Sequence, residues 1–185
     1  YLIIIIMASV SDIDYETKDR QIFEKYCKKH KYYPLILPSK KQIIAIGDLH
    51  GDYDLTIRVL KLAEVIDDNN KWIGKDIYVV QVGDQLDNCR PYEKKCDEPD
   101  SDNLSSFSET SAEDVRILKL FTDLDEQAQK DGGAVISLLG NHEIMNVMGN
   151  LNYVSYNDVQ KFKDYKDPKN PSLKFDTPQN ARIHA

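Results

Sequence analysis

The stretch Gln42-Ile43-Ile44-Ala45-Ile46-Gly47-Asp48-Leu49-His50-Gly51 reads as a short apolar strand that stops at a glycine and then presents a carboxylate and an imidazole. An apolar run of this length suits a buried strand, and the glycine beside the polar pair lets the backbone turn sharply. The pattern recurs twice. Ile77 to Val82, β-branched and aromatic, runs into Gly83-Asp84-Gln85-Leu86-Asp87-Asn88. Ala134 to Leu139 runs into Gly140-Asn141-His142-Glu143.

The segments between these strands read as helices. Leu55, Val59, Leu62, Ala63 and Ile66 fall at helical spacing and predict a core-facing helix over 53–66. Ser111 and Asp114 form a capping-box pattern. The helix they open would run to about Lys130, with Ile117, Leu118, Phe121, Leu124 and Ala128 inward, and Gly132 and Gly133 would end it. Strand, helix, strand, helix, strand predicts an α/β fold with parallel pairing through right-handed crossovers. Ligands of an open parallel sheet bind beyond the carboxyl ends of its strands. Asp48, Asp84 and Asn141, separated by 36 and 57 residues, are therefore expected to meet at one edge.

Outward from this frame the pattern weakens. Residues 88–110, rich in Ser, Asp and Glu, read as a surface loop or insertion. Ser155 and Asp158 predict a capped short helix carrying Val159 and Phe162, and from Asp167 onward Pro168, Pro171 and Pro178 predict irregular structure. Residues 1–40 read as a lead-in and 41–185 as the folded domain. The lead-in holds an amphipathic helix with Ile22, Phe23, Tyr26 and Cys27 on one face, ending before Pro34. The apolar run Tyr1 to Val10 is far shorter than the roughly 20 residues a bilayer span needs and lacks a basic leader region. We expect Met7 to be the natural start; the rival reading is the remnant of a longer membrane anchor.

At 185 residues the chain fits one domain, and with 41% hydrophobic and 30% charged residues it has ordinary globular composition. Its 31 acidic and 24 basic residues give a formal charge of −7, which does not suit nucleic-acid backbone binding. A phosphorylated substrate stays compatible, because bound metal ions reverse the local potential. Cys27, Cys89 and Cys96 are expected as free thiols of a reducing, cytoplasmic setting; a Cys89–Cys96 pair or a metal site is the alternative. Carboxylate, imidazole and amide oxygen form a donor set suited to Mn, Fe or Zn.

The three clusters resemble the GDxHG, GDxxDRG and GNHE signatures of the calcineurin-like metallophosphoesterases in the form used by phosphoprotein phosphatases. Trp72-Ile73-Gly74, Asn141 to Asn146 and Tyr153-Val154-Ser155 are similar to the Shewanella-like phosphatase branch, which large DNA viruses also carry. The resemblance implies a two-sheet β-sandwich flanked by helices, of which this chain would hold the N-terminal half, as a fragment of a longer reading frame. It further implies two divalent ions and direct in-line hydrolysis of phosphomonoesters on phosphoproteins by a metal-bridged hydroxide. Asp48 and His50 would hold the first ion, Asp84 would bridge both, and Asn141 would bind the second and the phosphate. His142 would be the general acid, its ring oriented by Asp87. Where the family places an arginine this chain has Asn88, and Arg90 is the expected substitute grip on phosphate. Two further histidines that the family supplies to the second ion are absent. Glu143 would pair with a helix end and Gln85 line a turn, while His30 and His184 read as ordinary surface histidines. The competing functions are a nucleotide or dinucleoside polyphosphate hydrolase with the same metal centre, and an inactive phosphatase-like binding module.

Overall fold

The computed structural model describes residues 15–27, 32–34, 36–93, 95–99 and 113–185. The apolar run at Tyr1 to Val10, His30 and the Ser111 cap lie outside them. Two compact units divide between Ser39 and Lys40.

In the first unit, α1 spans Tyr15–Tyr26. Phe23 sets its ring edge-on to Tyr32 at 5.5 Å. Ile22 and Tyr26, expected to share the packed face, are exposed instead.

The second unit contains β1 (Ile43–Ile46), α2 (Tyr53–Leu62), β2 (Tyr78–Gln81), α3 (Glu113–Ala128), β3 (Ala134–Ser137), α4 (Asn141–Val147), α5 (Tyr156–Gln160) and α6 (Pro178–His184). The strands pair in parallel in the order β1-β2-β3. Ile44, Val79 and Val135 lie in one register row, and Ile46, Gln81 and Ser137 in the row at the carboxyl edge. The α/β class and the β-α-β-α-β order hold; among the described residues there is one sheet of three strands.

One sheet face forms the core. Ile46, Val79 and Val135 pack there with Leu60 of α2 and Ile117, Phe121, Leu124 and Ala128 of α3. Burying Leu60, Ile117, Phe121 and Leu124 contributes roughly 1.5–3 kcal/mol per side chain. The other face ends in Ile43, Val82 and Leu138, all exposed.

The helices depart from expectation at their ends. α2 begins on Asp52, whose carboxylate accepts from the Leu55 amide at 2.7 Å. It ends at Leu62 because Glu64 turns left-handed at φ 56°. Leu62, expected inward, is exposed, and Thr56 and Leu60 fill the buried stripe. Leu118 likewise lies at the margin of α3, one position off its buried line. Pro178, expected in irregular chain, opens α6 behind a Thr177 cap, the position where its fixed φ and missing N–H cost least. Ser155 caps α5 as expected, and Val159 and Phe162 are buried.

Cys89 and Cys96 form a disulfide, which corrects the free-thiol expectation and removes the cysteine argument for a reducing compartment. Only the unpaired remainder, Cys27, is a free cysteine among the described residues. No helix among those residues is long and apolar enough to cross a membrane.

Candidate metal centre

Beyond the carboxyl ends of β1 and β2 the two turns are tied together. The Leu49 and His50 amides both donate to the Asp84 carbonyl, at 2.9 and 3.0 Å, and the Gly51 amide donates to Gln85 at 2.8 Å. The third turn is pressed against the second. A Cβ on Gly83 would collide with the Gly140 backbone, and one on Gly140 would collide with Asp84, so only glycine permits this approach. His50, Asp84 and Asp87 all adopt left-handed backbone, at φ 45°, 56° and 70°. Non-glycine residues hold that conformation at a cost, and such positions gather at functional sites.

The result is a convergence of donors. Ligand atoms of His50, Asp84 and His142 all lie within 4.8 Å of one another. Nδ1 of His50 sits 3.3 Å from the Leu86 carbonyl, and its Nε2 lies 3.7 Å from Asp48 Oδ2. A carbonyl behind one imidazole nitrogen is how metal-binding histidines are commonly oriented. Asp84 Oδ1 accepts the His142 amide at 2.9 Å, which fixes that carboxylate toward α4. This oxygen and nitrogen donor set fits a divalent ion of the Mn, Fe or Zn type.

The remaining expected residues stand close by. Asp48 is exposed, and Asn141 lies exposed in the first turn of α4, with only a 4.0 Å approach of Nδ2 to Met145 sulfur. His142 is buried, and its Nδ1 meets Asp87 Oδ2 at 2.8 Å, while Asp87 itself is 1% exposed. The His142 ring is held edge-to-face between His50 at 4.9 Å and Tyr153 at 5.0 Å. Arg90 turns back on its own loop, with Nη1 donating to the carbonyls of Asp87 at 3.1 Å and Cys89 at 3.0 Å. His184 pairs with Asp167 at 2.7 Å. That contact holds the Asp167 carboxyl below its usual range, helped by the Lys169 amide.

Glu143, expected only as a helix-end partner, and two residues with no assigned role, Asn146 and Arg182, prove central. Glu143 accepts the amides of Asp84 and Gly140 on one oxygen and of Gln85 and Leu86 on the other. Asn146 donates to both oxygens of Asp87 and to the His142 carbonyl. Arg182, buried on α6, binds Asn146 and Asp114. The i, i+4 spacing of His142 and Asn146 on α4 was the one available signal. Nothing in the chain marked Arg182.

A parallel sheet with carboxylate and imidazole donors gathered at its carboxyl edge defines an α/β protein with a candidate metal site. The chain belongs to the calcineurin-like phosphoesterase family, whose model matches residues 41–182. It is similar to Shewanella-like protein phosphatase 2 of Arabidopsis thaliana, 32% identical over 69% of this chain and 27% of the relative. It is also similar to Shewanella-like protein phosphatase 1 of Plasmodium berghei, 30% identical over 65% of this chain and 27% of the relative. An uncharacterized protein of Acanthamoeba polyphaga mimivirus is 54% identical over 26% of this chain and 19% of its own length. A solved cold-active protein-tyrosine phosphatase of a psychrophilic Shewanella superposes with a TM-score of 0.51 at 27% identity, over 80% of this chain and 39% of that one. The chain thus spans about a quarter of the length of the two Shewanella-like protein phosphatases it matches.

Proposed function

We propose that this chain carries the metal-binding part of a phosphomonoesterase acting on phosphorylated proteins, with residues 41–185 as the catalytic portion and 1–40 as a lead-in. The convergence of His50, Asp84 and His142 within 4.8 Å is the observation that carries this reading. Asp48 and His50 would hold one divalent ion, Asp84 would be shared, and Asn141 would serve the second. Ions bound there supply Lewis-acid charge to the phosphoryl group and make a bound water nucleophilic at neutral pH. Buried Asp87 holds Nδ1 of His142, so Nε2 is the nitrogen left to carry a proton to the leaving oxygen. Arg90, whose Nη1 is anchored on the Asp87 and Cys89 carbonyls, would offer its remaining guanidinium N–H groups to the phosphate.

The substrate class rests on the relatives. Two curated ones are named protein phosphatases and the solved one a protein-tyrosine phosphatase, so phosphotyrosine is the second substrate to weigh against phosphoserine and phosphothreonine.

The test pairs metal uptake with hydrolysis. Calorimetric titration with Mn2+ should show binding that Asp84→Asn weakens by at least tenfold. Phosphoserine and phosphotyrosine peptides should be hydrolysed faster than a dinucleoside tetraphosphate. No divalent uptake, or equal hydrolysis by Asp84→Asn, would sink the reading; preference for the dinucleotide would redirect it to nucleotides.

A further inference from the structure

We propose that Asn146 and Arg182 are positioning residues for His142, acting through Asp87, an inference that rests on His142 as the proton donor. The hydrogen-bond chemistry leaves the orientation of the Asn146 amide no freedom. Arg182 Nε can only donate, and it sits 2.9 Å from Asn146 Oδ1. Oδ1 therefore faces α6, and Nδ2 must face the catalytic side. There Nδ2 lies 2.9 and 3.0 Å from the two oxygens of Asp87 and 3.0 Å from the His142 carbonyl. One amide thereby fixes both the carboxylate that holds the imidazole and the backbone that carries it.

Arg182 performs this as a fork. While Nε holds Asn146, Nη2 binds Asp114 Oδ2 at 2.6 Å and stands 3.6 Å from Asp87 Oδ1. Asp114 anchors the guanidinium from α3, through the same nitrogen that stands nearest Asp87. The whole chain of contacts is buried, with Asp87 and Asp114 each 1% exposed, Arg182 8% and Asn146 9%. Burying three charges is costly unless their geometry is tightly fixed. Here the charges are spent on orienting one side chain at the head of the seven-residue α4. A lysine could keep the charge but has one nitrogen, so it cannot grip Asn146 and Asp114 in the two directions the fork uses.

The test uses a spectroscopic signal of the orientation itself. In the 15N-labelled 185-residue chain, the His142 Nδ1 proton, donated into buried Asp87, should give a downfield, slowly exchanging resonance. Arg182→Lys and Asn146→Ala should each lose that resonance or speed its solvent exchange at least tenfold while the backbone amide pattern stays folded. In phosphopeptide hydrolysis the same variants should lose about tenfold in kcat with KM unchanged, the pattern of an interaction that serves the transition state. A resonance that persists unchanged in either folded variant overturns the proposal. So does loss of the folded amide pattern in both, which would assign the network to folding. If the resonance behaves as expected but no phosphoester is hydrolysed, the relay stands and the phosphatase reading falls.

Discussion

Glu143 sets each carboxylate oxygen against two backbone amides, Oε2 at 2.8 Å from Asp84 and 2.7 Å from Gly140, Oε1 at 2.8 Å from Gln85 and 3.3 Å from Leu86. An anion is the only side chain with acceptors on both sides. Glu143→Gln would turn a donor toward two of those amides, and leaving buried donors unsatisfied costs about 1–3 kcal/mol each. We expect about 3 kcal/mol of lost stability by urea denaturation, together with weakened metal uptake as the second turn loosens. At this scale the sequence was partly legible. Asp48, His50, Asp84, Asp87, Asn141 and His142 could be picked out because each follows a strand end, where topology alone fixes the neighbourhood. Glu143 looked like a helix-end partner. It does reach its own first turn, but the amides of a distant loop are invisible to local spacing. Arg182 lay hidden because it acts 36 residues from Asn146, through packing of α6.

Elements were legible where one periodicity or one cap decided them, as with the Ser155 cap of α5. They were illegible where tertiary contacts chose the ends. Pro178 suggested a break, yet the Thr177 hydroxyl accepts from Asn180 and the proline starts a helix. The Cys89–Cys96 link was likewise open on spacing alone. α5 carries a testable electrostatic cost. Burial, and next the nearby Asp114 charge, push the Asp158 carboxyl up, against the hydrogen bond from Ser155. A raised folded-state value means that the neutral form is preferred in the fold. The stabilising contribution is then complete below the ordinary carboxylate value of about 3.9 and is lost as pH rises through the raised one. Asp158→Asn should therefore raise Tm at pH 7, and the gap over wild type should close by pH 4 in paired thermal melts.

The whole molecule shows apolar surface that its core does not use. Leu139 and Val147 are 73% and 75% exposed, and together with Leu86, Val115, Leu118 and Phe162 they line a largely apolar groove of about 580 Å³. Contiguous apolar surface of this kind binds amphiphilic dyes or other proteins. Anilinonaphthalene sulfonate should fluoresce strongly with the native chain, and Leu139→Lys with Val147→Lys should cut that signal at least twofold without changing far-UV circular dichroism. The sheet that shapes the molecule also bears on its history. Because Ile46, Gln81 and Ser137 share one register row, the spacing of the donors beyond them is set by strand alignment, not by the length of the connections. Descendant lineages are accordingly free to lengthen or trim the connections between the strands, whereas a single-residue insertion within any of the three strands would shift its motif out of line and dismantle the centre in one step.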